Sequence, residues 1–203
     1  MVDYIDSEEA LLAHYGMPKL PSTVKVSPVV TPHYREWIEA SPFCALASVG
    51  PEGLDCSPRG DAGPVVRILD EKTIAMPDRR GNDRIDTLRN IVRDPRVSLM
   101  FLIPGSGTVL RVNGRARITS DEALRESFAM DGKLPRTVTV VKVDEVYFQC
   151  ARAVVRSNMW QGGHADPATL PSIGLMLETL SSAAIDGKEY DAEWPGRAAK
   201  TMW

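Results

Sequence analysis

In the stretch Thr108-Val109-Leu110-Arg111-Val112-Asn113-Gly114-Arg115-Ala116-Arg117-Ile118, apolar and polar side chains alternate from Leu110 onward. Side chains two residues apart share one face of a β-strand, so this pattern predicts a strand with one apolar and one polar face. Gly114 falls in the apolar row, where it predicts a β-bulge or a close approach by another backbone. The arginines of the polar face would contact solvent, a groove or a second subunit, and Arg111 is the best placed of them to reach a ligand.

Shorter apolar runs on both sides of this stretch, separated by turn residues, predict further strands. The turn Gly50-Pro51-Glu52-Gly53 predicts a hairpin, and Pro104-Gly105-Ser106-Gly107 predicts another chain reversal. The predicted strands are 44–49, 54–57, 65–69, 73–76, 96–103, 108–118, 137–143 and 145–150. Few helices intervene between them, which argues against a doubly wound parallel sheet. The sequence therefore predicts a mainly β fold, an antiparallel barrel with peripheral helices.

Helical patterns fall mostly before and after the predicted barrel. Ser7 would cap a first helix, and Pro32 would begin a second one after an extended, proline-rich segment. Thr119 and Glu122 have the spacing of a capping box. The other helical predictions are 151–160 and 171–182, followed by an irregular polar tail from Asp186. We expect one domain in three parts: an N-terminal helical extension over 1–40, the barrel over 41–160, and a C-terminal helix and tail over 161–203 packed on the barrel.

The composition excludes several classes of protein. The 203 residues are 43% apolar and 25% charged, and the net charge of −3 lacks the basic excess of nucleic-acid binders. No apolar run approaches the roughly 20 residues that span a bilayer, and the acidic N-terminal segment has no apolar signal core, so we expect a cytoplasmic protein. The three cysteines are widely spaced, which predicts free thiols, and no histidines have the spacing of a metal site.

A basic turn, Asp78-Arg79-Arg80-Gly81-Asn82-Asp83-Arg84, separates the predicted strand 73–76 from an amphipathic stretch over 83–93. Asn82 would cap a helix that starts at Asp83. The free N–H groups and the positive dipole end of such a helix attract anions, and Arg80 or Arg84 could form a bidentate contact with a phosphate. The turn therefore predicts a phosphate cradle, with a solvated charged turn as the alternative.

Two more clusters carry groups suited to a flat, charged ligand. In Ser57-Pro58-Arg59-Gly60-Asp61, Arg59 could place a positive charge beside an electron-rich ring or a phosphate, and Gly60 permits a close backbone approach. In Arg156-Ser157-Asn158-Met159-Trp160, a tryptophan near an arginine suits stacking on a ring system. The alternatives are a surface turn in the first cluster and a core tryptophan on a helix in the second.

Taken in order, these segments resemble the pyridoxamine 5′-phosphate oxidase-like FMN-binding proteins, which have the flavin split-barrel fold. The resemblance spans about residues 35–160, and its last part, from Tyr147 to Trp160, is similar to one subgroup of that family. The stretches that carry it are 45–48, 57–61, 80–84, 88–91, 94–99, 110–116 and 147–160. The resemblance implies a homodimer with two FMN molecules at the subunit contact. It also implies hydride or electron transfer involving a small-molecule substrate or an electron donor such as NAD(P)H.

The resemblance further implies which residues contact FMN. The strand end with Ser57, Arg59, Gly60 and Asp61 would run along the isoalloxazine edge, and Met76, Pro77 and Asp78 would face the flavin. The phosphate would be held by Asn82 and Arg84, while Arg111, Arg156, Ser157 and Trp160 would approach from the partner subunit. No side chain stands out as an acid, a base or a nucleophile, so no catalytic residue is assigned.

Two departures from the family pattern argue against a vitamin B6 substrate. Pyridoxamine phosphate oxidases proper have an Arg-Lys pair at the phosphate helix, where this chain has Asn82 and Arg84. Their C-terminal arginine and histidine, which hold pyridoxal phosphate, have no match here. The leading hypothesis is an FMN-dependent oxidoreductase. The alternatives are a module that holds FMN, haem or a deazaflavin without turnover, and a structural dimer with no cofactor.

Overall fold

A single antiparallel sheet of seven strands dominates the computed structural model, which describes residues 2–162 and 165–202. The strand order is β2-β1-β5-β6-β7-β4-β3, so β2 and β3 are its two edges. The strands are β1 (Phe43–Gly50), β2 (Gly53–Gly60), β3 (Arg67–Asp70), β4 (Thr73–Pro77), β5 (Arg96–Leu102), β6 (Val109–Thr119) and β7 (Val138–Gln149). The predicted mainly β, antiparallel architecture is confirmed.

The helices lie at both ends of the chain and in two of the connections between strands. They are α1 (Glu8–Tyr15), α2 (Leu20–Val24), α3 (Pro32–Glu39), α4 (Asp86–Arg93), α5 (Glu122–Glu126), α6 (Arg152–Arg156), α7 (Ile173–Leu180) and α8 (Gly187–Thr201), with a short 3₁₀ turn at Pro167–Thr169. As predicted, the Ser7 side chain caps α1 and Thr31-Pro32 begins α3. Within the described residues, no helix is both long and apolar enough to cross a membrane.

The main core lies inside the curved sheet. Leu46 of β1, Leu99 of β5 and Val112 of β6 are at most 1% exposed and belong to one apolar cluster. Ile38 of α3 is fully buried in the same cluster, so this helix covers the barrel interior. Burial of these side chains supplies most of the free energy that keeps the sheet curved around its core.

Gly114 marks a β-bulge, as its place in the apolar row predicts. The pairing of β6 with β7 shifts between Asn113, which faces Glu145, and Gly114, which faces Val143. A Cβ atom at position 114 would lie 2.2 Å from the carbonyl oxygen of Lys142, so the backbones approach too closely for any side chain. Asp144 is the extra residue of this bulge, which lets the two predicted strands 137–143 and 145–150 continue as the single strand β7.

Three helical predictions were wrong. Residues 20–24 form α2 rather than an extended segment, because Pro21 lies in the first turn, where proline is compatible with a helix. The tail is not irregular: Asp186 caps the fifteen-residue α8, and Gly187 packs so closely on Gly174 of α7 that a Cβ would reach its carbonyl oxygen. Helix α5 is capped by Asp121, whose carboxylate accepts the N–H of Leu124, and not by Thr119.

The bulge predicts a large cost for adding one methyl group. Gly114→Ala should lower the free energy of unfolding by about 2–3 kcal/mol, since the new Cβ meets backbone that cannot move without breaking the strand pairing. Gly63→Ala is the matched control: nothing lies within 4 Å of its Cβ position. Its effect should stay below about 1 kcal/mol. Urea unfolding followed by circular dichroism measures both, and equal stabilities for the two variants would contradict the bulge geometry.

Candidate functional site

Two ion pairs join the end of β2 to the segment that follows β4. Arg59 donates from Nη1 to Asp78 Oδ1 at 2.9 Å, and Arg79 donates from Nε and Nη2 to Asp61 Oδ2, both at 2.9 Å. The four side chains are only 11–20% exposed. Because β2 is one edge of the sheet and β4 lies beside β3, the other edge, this double ion pair connects the two ends of the open sheet.

Backbone contacts hold the carboxylates of the double ion pair in place. The Asp61 N–H donates to the Pro42 carbonyl at 3.0 Å, and the Asp78 N–H donates to the Thr137 carbonyl at 2.9 Å. Arg79 also donates from Nη1 to the Phe128 carbonyl at 2.8 Å. Sequence analysis did not assign Arg79 or Thr137 to the site. Arg79 was visible in the basic turn, but its partner lies eighteen residues away and no local pattern identifies it.

Two buried polar atoms beside Asp78 have no partner within the described residues. Arg59 Nε is a buried donor that makes no hydrogen bond, and Thr137 Oγ1 is a buried hydroxyl in the same condition. Arg59 reaches Asp78 through its side chain, and Thr137 reaches the same residue through its carbonyl. Buried donors are nearly always satisfied in folded proteins. A ligand with acceptor atoms, placed at the end of β2, would satisfy the Arg59 donor.

Two glycines near the double ion pair are not required by the packing of the chain. At Gly60, a Cβ would make only ordinary contacts of 3.6 and 3.7 Å with Pro42 and Phe43, and at Gly81 nothing lies within 4 Å. Neither glycine has the left-handed backbone conformation that would exclude other residues. Their small size leaves open backbone beside the charged groups, which is the surface that a flat ligand needs.

The basic turn is not the start of a helix, so this prediction was wrong. Asn82 Oδ1 accepts the N–H of Arg84 at 3.1 Å, and Asp83 adopts a left-handed φ of 59°. This local turn competes with helical hydrogen bonding, and α4 begins only at Asp86, preceded by Ile85 without a side-chain cap. The helix dipole therefore starts beyond the turn, and any anion at the turn would depend mainly on side-chain charge.

The arginines of the basic turn differ in how their charge is balanced. Arg84 Nε donates to Asp86 at 2.5 Å, although the Arg84 side chain remains 79% exposed. The hydrogen bond and charge of Asp86 raise the pKa of Arg84, so the guanidinium stays protonated. Asp83 pairs with Arg136 at 2.8 Å. Arg80 is exposed and has no carboxylate partner among the described residues, so its charge is available to an anion.

A polar groove of about 360 Å³ lies between the β1–β2 hairpin and α4. It is lined by Glu52, Gly53, Leu54, Asp55, Arg84, Asp86, Arg89, Asn90 and Arg93. Asn90 fixes the helix on the hairpin through a hydrogen bond to Ser48, and the Thr87 hydroxyl donates to Asp55. Arg84 is thus the one residue that belongs to both this groove and the basic turn.

The remaining predicted contacts lie on other parts of the barrel. Arg111 is half-buried on β6, with its guanidinium 5.3 Å from the centre of the Tyr147 ring. Trp160 donates from Nε1 to the Ser106 carbonyl at 2.7 Å, and Ser157 donates to the Val154 carbonyl at 3.0 Å, while Arg156 is exposed. Among the described residues, no hydrogen bond, ion pair or ring contact connects these four residues to the double ion pair.

The predicted flavin-facing residues of β4 contribute backbone rather than side chain. Met76 is 3% exposed and belongs to the apolar core, and Pro77 is buried as well. Ser57 on β2 is half-buried. Only the main chain of 76 and 77 therefore remains for a ligand, while Asp78 presents a carboxylate that Arg59 already occupies.

The site contains no activated thiol or metal cluster in the described part of the chain. Cys44 faces Arg59 across the β1–β2 pairing, but burial raises the pKa of its thiol to about 12, an effect that the Arg59 charge only partly opposes. No group of three or more histidine, cysteine or acidic side chains among residues 2–162 and 165–202 could hold a metal ion. The arrangement can bind and orient an anionic, planar ligand, but it offers no nucleophile.

Comparison with known proteins identifies relatives of this barrel. A family model described as pyridoxamine 5′-phosphate oxidase matches residues 30–150. HupZ of Group A Streptococcus is 19% identical, with a TM-score of 0.47, 67% of this chain and 98% of that chain being covered. A Lactobacillus delbrueckii protein that carries the name pyridoxamine 5′-phosphate oxidase is 20% identical, with a TM-score of 0.47. The match covers 60% of this chain and 95% of that chain. An FMN-binding protein from Syntrophomonas wolfei is 16% identical (TM-score 0.43, 56% and 86% covered). No curated protein sequence matches the chain.

The double ion pair predicts strong coupling between its members. Arg79→Gln or Asp61→Asn alone should lower the free energy of unfolding by about 2–3 kcal/mol, because each leaves a largely buried charge without its partner. The double variant should cost much less than the sum of the two. Urea unfolding of the wild type and the three variants measures the coupling, and simple additivity would show that the pair does not fasten the sheet.

The burial of Cys44 predicts its reactivity. In the native protein a thiol reagent at pH 8 should modify the exposed Cys56 and Cys150, and Cys44 should react only after unfolding. Because the pKa of Cys44 rises from 9.0 to about 12 on folding, the unfolded chain loses this proton first as the pH increases. Stability should therefore fall between pH 9 and 12, and a Cys44→Ala variant should lose this part of the decline. Three equally reactive native thiols would contradict the burial.

Proposed function

The chain belongs to the pyridoxamine 5′-phosphate oxidase family, and we propose that it is an FMN-dependent oxidoreductase that holds FMN at the contact between two copies of the chain. The observation that carries the proposal is the buried, unpartnered Arg59 Nε beside the open backbone of Gly60. The basic turn contains Arg80, which has no carboxylate partner among the described residues, and the exposed Arg84. A planar ring with hydrogen-bond acceptor atoms and a phosphate tail matches both features.

Each group of the site has a defined part in this proposal. FMN supplies hydride or electron transfer through its ring atom N5. Arg59 would donate to acceptor atoms of the ring, and the main chain from Ser57 to Asp61 would lie along the ring edge. The Asn82 side-chain oxygen Oδ1 already accepts the N–H of Arg84. Its NH₂ group has no partner among the described residues, and this group would donate to the phosphate. Arg84 would then divide its charge between Asp86 and the phosphate.

The second copy of the chain completes the site in this proposal. Arg111 and Arg156 are both without a carboxylate partner in the described residues, and Trp160 presents a partly exposed indole fixed at the β5–β6 turn. These groups supply charge and a stacking surface, which suit the open side of a bound ring. Among the described residues, no hydrogen bond, ion pair or ring contact joins these groups to the double ion pair of their own chain, so we assign them to the FMN site of the partner.

A module that holds FMN without turnover is the second candidate. It is favoured by one observation: Cys44, which pairs with Arg59 across β1 and β2, is buried, and burial raises the pKa of its thiol to about 12. Addition of NADH or NADPH to the FMN-loaded protein separates the candidates. Bleaching of the flavin band at 450 nm supports an oxidoreductase, and a band that persists with both donors supports the non-catalytic module.

The phosphate contact predicts the effect of one substitution. Arg84→Ala should weaken FMN binding about 10- to 100-fold, the loss expected for one charge-assisted contact. Arg35→Ala is the matched control, because Arg35 is also an exposed arginine with a single acidic partner, Glu39. Flavin fluorescence titration measures both affinities. Equal affinity in the Arg84 and Arg35 variants would remove the phosphate role, and failure of the wild type to bind FMN would remove the whole proposal.

The ion pair between Arg59 and Asp78 predicts the redox behaviour of the site. Asp78 offsets the positive charge of Arg59, which would otherwise stabilise the negative charge that reduction adds to a flavin. Asp78→Asn should therefore raise the two-electron midpoint potential by about 30–60 mV, equivalent to about 1.4–2.8 kcal/mol. A dye-equilibrium titration of the FMN-loaded protein measures this potential. An unchanged or lower value would place the flavin away from Asp78.

A further inference from the structure

A second cavity, with a volume of about 560 Å³, lies where the N-terminal segment crosses the barrel. Its walls include Val24 and Trp37 from the N-terminal segment and Leu110 and Phe148 from the barrel. Phe148 is 45% exposed, so an aromatic surface faces the opening of the cavity. None of the lining residues belongs to the double ion pair or to the basic turn.

The walls of this cavity are fixed by the chain itself. Ser27 forms two backbone hydrogen bonds with Val146 of β7, at 3.0 and 2.8 Å, which anchor the N-terminal segment beside the sheet. The Tyr34 hydroxyl donates to the Lys25 carbonyl at 2.5 Å, and Ile38 fastens α3 in the core. A cavity with walls held in this way is ready to receive a ligand without a large ordering cost.

The ammonium group of Lys25, a residue that lines this apolar cavity, has no acidic partner among the described residues. Lys25 is half-buried, and its Nζ lies 5.2 Å from the ring centre of Phe148 and 5.7 Å from that of Tyr147. No carboxylate pairs with Lys25 within residues 2–162 and 165–202. The N-terminal end of α3, capped by Thr31, lines the same cavity, and its dipole adds positive potential there. The cavity therefore combines apolar walls with a local preference for one negative charge.

We propose that this cavity binds a flat apolar acid, of the aryl carboxylate or aryl sulfonate class. The apolar and aromatic walls would bury the rings, and the acidic group would pair with the Lys25 ammonium. A neutral lipid would leave the ammonium without its partner, and a nucleotide would bring more charge than one lysine can balance. The cavity shares no lining residue with the double ion pair or the basic turn, and its test does not require that FMN binds.

The probe for this site is 1-anilinonaphthalene-8-sulfonate, an aryl sulfonate whose fluorescence rises on apolar binding. Its neutral analogue N-phenyl-1-naphthylamine serves as the uncharged comparison. We expect one saturable sulfonate site per chain, weakened about tenfold by Lys25→Met and restored to within about twofold by Lys25→Arg. The affinity for the neutral analogue should be unchanged by Lys25→Met, which also shows that the variant remains folded.

Leu180→Ala is the control for non-specific binding, because Leu180 is the most exposed apolar residue of α7, at 83%. It should leave the sulfonate affinity unchanged. The proposal is overturned if Lys25→Met has no effect, or if Leu180→Ala weakens binding as much as Lys25→Met does. It is also overturned if Lys25→Met lowers the FMN content or the oligomeric mass of the protein, since the cavity would then belong to the flavin site or to a subunit contact.

Discussion

The double ion pair, Arg59–Asp78 and Arg79–Asp61, holds together two ends of a sheet that strand pairing alone leaves open. The strand order places β2 at one edge and β4 beside the other, so no ladder of backbone hydrogen bonds connects them. Each arginine meets one carboxylate, and the assembly is electrically neutral, which makes its partial burial tolerable. The same four residues set the spacing between the open backbone at Gly60 and the basic turn. The contacts that join the two ends of the sheet therefore also position the groups of the site.

Several polar and charged groups of the site have no partner among the described residues. Among the described residues, Arg59 has a buried donor without a partner, Arg80 has no carboxylate partner, and Gly60 and Gly81 leave backbone uncovered. A fold selected for stability alone would tend to satisfy or replace such groups. Their concentration around the end of β2 is better explained by a ligand that carries acceptors and negative charge. Family membership and local chemistry thus support the same interpretation from independent directions.

Sequence patterns predicted the features whose causes are local. The alternation along 108–118 and the hairpin at Gly50-Pro51-Glu52-Gly53 depend on near neighbours, and the structure confirms them. The partners of Arg59 and Arg79 lie nineteen and eighteen residues away, where no periodicity identifies them. The start of α4 was misplaced because the Asn82 side chain bonds to the Arg84 N–H, which makes a turn where a cap was expected. Helix α8 was missed because Pro195 and Gly196 suggest a turn, while the cap at Asp186 and the close contact of Gly187 with Gly174 favour a helix.

The proposed FMN site depends on recognition of the FMN phosphate by the basic turn. The most direct test compares the affinities of the purified wild-type protein for FMN and for riboflavin, which differ only in that phosphate. If the basic turn binds the phosphate, FMN should bind at least about tenfold more tightly than riboflavin, and added salt should reduce this difference. Equal affinities for the two flavins, or binding of neither, would contradict it.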